Sequence, residues 1–127
     1  MEALTVWTKC PWNQDADEAI GELIKADKSA MLASLEAGSA ELYRVVGPIY
    51  SGWLLGEFRT RTVDGALVYK VHAFAGRNVA AGLNDLGIIA KKAGAVSLIC
   101  ESGSRAHHRL YERIGFDEDS RIYVKDL

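Results

Sequence analysis

The sequence predicts a mixed α/β fold whose sheet is part antiparallel and part parallel. Two observations carry that reading. The segments "SGWLLGEFRTRTV" and "ALVYKVHAFA" flank Val63-Asp64-Gly65-Ala66, and Asp-Gly suits the positive φ angles of a hairpin turn. Beyond Asn78 the hydrophobic period changes from two to 3.6: Val79, Leu83, Leu86, Ala90 and Ala93 form one continuous stripe. A short apolar run, "VSLIC", follows that helix, so the helix is a crossover between two parallel strands.

The elements follow in order. Residues 3 to 9, "ALTVWTK", are rich in β-formers and make a first strand that Pro11 ends. "NQDADEAIGELIKAD" masses acidic residues in its first turn, where they complement the helix dipole. Ile20, Leu23 and Ile24 give it an i, i+3, i+4 stripe, and Gly21 lies within it. Ser29 is the expected cap of a second, short helix over "AMLASLEA", with Gly38 as its stop. "AELYRVV" is the next strand, broken by Gly47-Pro48.

In the hairpin, Phe58, Thr60 and Thr62 share one face, with Glu57, Arg59 and Arg61 on the other. Strict alternation in the following strand groups Leu67, Tyr69, Val71 and Ala73 against Val68, Lys70, His72 and Phe74. Lys91, Lys92 and Gly94 close the long helix. Ala106, Leu110 and Ile114 form the inner stripe of a last helix, and residues 120 to 126 make a final strand. The predicted order is β-α-α-β-β-β-α-β-α-β, in a single domain over residues 1–127.

Composition narrows the function classes. The chain has 127 residues, 49% of them apolar, enough for an ordinary core. Fifteen basic against seventeen acidic residues leave a formal charge of -2, which argues against a general electrostatic grip on nucleic acid or an anionic membrane. Cys10 and Cys100 are too few for a paired-cysteine metal site or a disulfide framework. No long apolar run or signal-peptide pattern is present, so the expected setting is cytoplasmic, with reduced thiols. His107 and His108 are adjacent and diverge on a helix, so no metal site is expected there.

The motif "HRLYERIGF", His108 to Phe116, followed by "DEDSRIYVKDL", resembles the GNAT superfamily of N-acetyltransferases. "AKKAGAVSLIC" resembles the end of that family's central helix and its fifth strand. The residue-level likeness covers about the last third of the chain; the element order covers nearly all of it. The resemblance implies a GNAT-like sheet with two N-terminal helices on one side and the central helix on the other. It implies acyl transfer from acetyl-CoA to an amine by direct attack.

By the same resemblance Tyr111 is the general acid that protonates the departing CoA thiolate; the bland reading is a tyrosine that packs its ring and wets its hydroxyl. His72, on the fourth strand, is either a base for the incoming amine or a hydrogen-bonded structural imidazole. Acetyl-CoA is expected along Ala73, Phe74 and Ala75, with Gly76, Arg77 and Asn78 toward the pyrophosphate. Ser104 and His108 are further cofactor candidates, Ser104 being also a natural helix cap.

One departure is plain. The family carries Arg or Gln, two residues, then Gly-x-Gly or Gly-x-Ala between the fourth strand and the central helix. Here "AFAGRNVAAG" has Asn-Val-Ala-Ala after Arg77, and Gly82 comes inside the helix. Short chains with such a loop and an intact Gly-Phe end are similar to GNAT-like proteins encoded among phage structural genes. That leaves a second function class, an inactive assembly or interaction module. The acceptor would be a small-molecule or protein amine, in a pocket made by the first two helices and the loops around Trp53 and Gly65; a homodimer is a further expectation. Cys100 reads as a packing residue, and Arg59 and Arg61 as solvated or as a grip on an acidic partner.

Overall fold

The computed structural model describes residues 4–101, 117–119 and 122–127. Strands β1 (Val6–Lys9), β2 (Glu41–Val46), β3 (Ser51–Thr60), β4 (Leu67–Arg77), β5 (Ser97–Glu101), β6 (Asp117–Asp119) and β7 (Ile122–Asp126) form one sheet in the order β1-β2-β3-β4-β5-β7-β6. The helices are α1 (Gln14–Ile20), α2 (Lys28–Ala37) and α3 (Val79–Lys92). Strands β1 to β4 pair antiparallel in succession, and β4 pairs β5 in parallel, as the hairpin and crossover signals predict. The predicted last helix lies outside the described residues.

Side chains from the two faces of the sheet make two separate cores. Leu54, Tyr69, Val71 and Phe74 pack against Leu83, Leu86 and Ala90 of α3. Leu42, Leu55 and Ala73 pack against Ala16, Ile20 and Ile24 at the α1 side, with Met31 and Leu35 of α2 over them. The three-layer arrangement is the expected one, α1 and α2 on one face and α3 on the other.

Several details differ from the sequence reading. Helix α1 stops at Ile20, because Gly21, a poor helix former, is followed by open turns and a single 3₁₀ turn at Lys25–Asp27. Leu23 is therefore about half exposed while Ile20 and Ile24 are buried. Helix α2 begins at Lys28, directly after the 3₁₀ turn, so Ser29 lies inside it and caps nothing. Gly38 does end it, in the left-handed conformation at φ 82°. Asn13 caps α1 by accepting from the Ala16 amide at 3.0 Å. Of the predicted C-terminal strand the described part, Ile122–Asp126, is strand and pairs with β6.

The largest correction concerns β4. Leu55 pairs Ala73 but Gly56 pairs Val71, so His72 is the extra residue of a β-bulge. Alternation slips by one there. Tyr69, Val71 and Phe74 face α3, whereas Ala73 faces α1. A strict period of two put Phe74 with His72 and Ala73 with Val71, and both pairings are overturned.

Beyond the bulge, β3 and β4 approach closely. Gly52 pairs Gly76 with φ 156° and 148°, and a Cβ on Gly76 would lie 2.1 Å from the Ser51 carbonyl oxygen. The apparently misplaced Gly82 has an equally direct cause. A Cβ there would meet Phe74 Cζ at 2.6 Å and Tyr50 Cδ2 at 3.2 Å, so only glycine seats α3 on β4. Tyr50 also donates to Asp85 Oδ2 at 2.6 Å, tying the β2–β3 turn to the same helix. Gly82→Ala is expected to lower stability by about 1–3 kcal/mol, an overpacking effect read by urea denaturation, with m unchanged.

Candidate active site

Local strand geometry brings Glu57 of β3 and His72 of β4 together on the α1–α2 face. Alternation from Val71 sets the His72 ring on this side, and the bulge keeps Ala73 there beside it; the ring lines a small cavity of about 40 Å³ with Leu23, Ile24, Asp27 and Met31. Its Nε2 lies 2.6 Å from Glu57 Oε1, and the two side chains are 9% and 8% exposed. Arg59, two residues along β3, reaches the same oxygen at 2.5 Å.

The electrostatics assign the protons. Burial pushes the Glu57 carboxyl up, but hydrogen bonds and charge from Arg59 and His72 outweigh it and hold the group below its ordinary value. Burial lowers the His72 imidazole, and Lys70 and Arg59 add to that, against the raising effect of Glu57. At neutral pH the pair is therefore a carboxylate and a neutral imidazole. An anionic Glu57 takes its hydrogen bond from Nε2–H, which leaves Nδ1 as the basic nitrogen. A buried, neutral, oriented histidine can accept a proton.

Glu57 was missed in the sequence, where it reads as one of a polar row with Arg59 and Arg61. The signal available was the Asp-Gly turn. Arg61 N–H donates to the Ala66 carbonyl at 2.8 Å, and counting back from that closed turn brings Glu57 beside the middle of β4. Arg61 itself is held by Asp64 in a two-pronged pair, at 2.9 and 2.6 Å, and so closes the hairpin.

The other predicted positions divide. Ala73 and Phe74 are buried in opposite cores, so only their backbone is available to a ligand. Pairing with β5 runs from Val68↔Ser97 to Val71↔Cys100, and β4 continues to Arg77. Among the described residues, the β4 edge at Ala73 to Gly76 that faces away from β3 has no strand against it. Asn78 stands before α3 in the left-handed conformation, φ 53°, and its side chain caps no amide. Its amide instead donates to the Ile49 carbonyl at 3.3 Å. The first N–H groups of α3 are thus without a side-chain cap, a ready anion-binding end.

Arg77 Nη2 donates to the Gly47 carbonyl at 2.9 Å, on the exposed surface beside that helix end. Trp53 proves to be a strand residue, not a loop one, half-buried at the α1 side with Arg44 over its ring at 5.2 Å. Tyr111, Ser104 and His108 lie outside the described residues. Cys100 is fully buried, and its thiol is pushed up by burial, as a packing residue should be.

The backbone as a whole matches solved structures over nearly the full length of the chain. One is an acetyltransferase of Bacillus subtilis in complex with CoA: TM-score 0.64, 17% identity, 98% of this chain and 99% of that one covered. A GNAT family acetyltransferase from Elizabethkingia anophelis with acetyl-CoA bound matches at TM-score 0.63, 14% identity, over 97% and 98%. The NatC complex bound to Gag peptide and CoA contains a chain matching at TM-score 0.62, 14% identity, over 100% and 99%.

The chain has the GNAT fold.

No protein-family model and no curated protein matches the sequence. The GNAT likeness is therefore one of backbone, and the short loop after Arg77 accords with that. Among the described residues no group of three or more potential metal ligands occurs, and no helix is long and apolar enough to cross a membrane.

Direct titration of the His72 ring by NMR should give a midpoint below the ordinary value of about 6.5. Glu57→Gln should move it lower still, because the carboxylate is what raises it. The unfolded chain takes up this proton first as pH falls. Stability contributed by the neutral ring is therefore present above about pH 6.5 and declines below it.

Proposed function

We propose that this protein is an acyl-CoA-dependent N-acyltransferase, using acetyl-CoA and a small-molecule or protein amine. The observation that carries the reading is the neutral, Glu57-oriented His72 on β4 beside a strand edge and an uncapped helix start. The fold-level likeness to CoA-bound structures supports it, and so does the resemblance of "HRLYERIGF" to the family motif.

The residues present suit CoA. The N–H groups at the start of α3, with Arg77 and Asn78 beside them, would hold the pyrophosphate. The open edge of β4 at Ala73 to Gly76 would hydrogen-bond the amide-bearing arm. Acetyl-CoA supplies the activated acetyl thioester. His72 Nδ1 takes the proton that the amine must lose to become nucleophilic, and Glu57 and Arg59 keep the ring oriented and its other nitrogen occupied. A proton is then needed at sulfur, and the resemblance gives that part to Tyr111. The amine nitrogen gains the acyl group, the carbon–sulfur bond breaks, and CoA leaves as the thiol.

The acceptor enters from the α1–α2 side, where the cavity at His72 lies. Asp27 at its rim suits a cationic amine. Cys10 and Cys100 are unpaired, in keeping with a cytoplasmic setting. A homodimer remains the expected assembly by resemblance.

Calorimetric titration with acetyl-CoA and CoA tests the cofactor. Low-micromolar binding is expected, weakened about tenfold in Arg77→Ala by loss of a charge-assisted hydrogen bond. No heat, together with no rise in Tm at millimolar CoA, sinks the reading, since a ligand at about 100 times its Kd adds roughly 2.7 kcal/mol. With an active amine in hand, His72→Gln and Tyr111→Phe should each lower kcat by about a hundredfold or more, followed by thiol release. His72→Gln should also abolish the acid limb of the pH profile, which lies below about 6.5 in the parent.

A further inference from the structure

The opposite face of the sheet carries a feature that acetyl transfer does not use. Between β1–β4 and α3 lies a cavity of about 180 Å³. Its walls include Trp7, Phe58 and Leu86, and its polar groups come from Glu41, Tyr43 and Tyr69. Tyr69 is 2% exposed, and among the described residues its hydroxyl has no hydrogen-bond partner. Buried hydroxyls seldom go unpaired, so this one points to something that binds there.

We propose that this cavity binds a small monocyclic aromatic amine as its ammonium ion. Among the described residues Glu41 supplies the only formal charge in the lining. Its Oε2 accepts from the Tyr43 hydroxyl at 3.0 Å, while Oε1, among the described residues, has a loose surface pair with Lys9 at 3.8 Å. Oε1 is therefore the oxygen open to a cation. The Tyr69 hydroxyl is a second acceptor for the same ammonium. Both the Tyr43 and Tyr69 hydroxyls are pushed up by burial and by the nearby Glu41 charge, so both stay protonated and neutral.

The apolar part follows from size and lining. A cavity of about 150 Å³ lined by aliphatic and aromatic side chains accepts a benzene ring, and this one is slightly larger. Trp7, Phe58 and Tyr69 offer ring faces and edges to a flat ring and to a cation. The Glu41 side chain is a quarter exposed, which sets the charged end of the ligand at the mouth and the ring inside.

The sheet separates this cavity from Glu57 and His72, which face α1 and α2. The two sites can be tested independently, and the fate of the acetyltransferase reading does not decide this one.

The test is titration of the purified protein with 2-phenylethylammonium, 2-phenylethanol and phenylacetate, by calorimetry and by Trp fluorescence. The ammonium should saturate with a Kd on the order of 1 mM or tighter. The alcohol should bind about tenfold more weakly, and the carboxylate should show no saturation. Glu41→Gln, a near-isosteric change at a partly exposed position, should reduce the ammonium to the level of the alcohol. Equal binding of all three probes, undiminished ammonium binding in Glu41→Gln, or no saturation by the ammonium at about ten times that concentration would overturn the proposal.

Discussion

The bulge at His72 is the constraint on which the rest of this structure depends. One extra residue in β4, set between the pairs Leu55↔Ala73 and Gly56↔Val71, reverses the facing of every side chain beyond it. Without it, Phe74 would point toward α1 and Ala73 toward α3, and neither core would close. The bulge also sets His72 and Ala73 in succession on the α1–α2 face. On a regular strand His72 would still follow Val71 onto this face, but Ala73 would turn into the α3 core, so what the bulge changes is the strand beyond the imidazole.

The same local slip links the site to the packing above it. Phe74, sent to the α3 face, lies where a Cβ on Gly82 would collide with it. That contact fixes how closely the start of α3 approaches β4, and so where its uncapped N–H groups stand relative to the strand edge. Tyr50, bonded to Asp85 and in edge contact with Trp7 at 6.0 Å, holds the β2–β3 turn against the same helix. Gly52 and Gly76 let the two strands close up just before it. The glycines near this helix start are thus placed for contacts within the protein, Gly52 and Gly76 between backbones and Gly82 against the Phe74 and Tyr50 rings.

Electrostatic roles divide between the faces. On the α1–α2 side, a buried carboxylate is stabilised by two partners and in turn orients a histidine that burial keeps neutral. Neither group would behave this way alone: an isolated buried Glu57 would tend to protonate, and an isolated His72 would lose its orientation. On the α3 side, Glu41 is only partly buried and its near neighbours are aromatic hydroxyls. The two carboxylates stand on opposite faces of one sheet, and that separation is what makes two sites.

Elements were legible wherever one segment carries its own signal. The Asp64-Gly65 turn, the apolar stripe of α3, the run at β5 and the stop at Gly38 depend on backbone preference and side-chain period within a few residues, and all four appear where the sequence puts them. The "HRLYERIGF" motif pointed to the fold that the backbone comparison then bore out. His72 was legible as a polar residue on β4; its partner Glu57 was not, because their meeting depends on pairing across the hairpin. The bulge is equally silent in sequence, since an extra residue is defined only against the opposite strand. Gly82 looked like a displaced loop glycine until Phe74 and Tyr50 gave it neighbours. Sequence alone determined the kinds of element and their order, through interactions along the chain. Register, the facing of β4, the Glu57–His72 pair and the cavity behind Tyr69 were decided only in three dimensions, because each is a relation between residues that the chain itself keeps far apart.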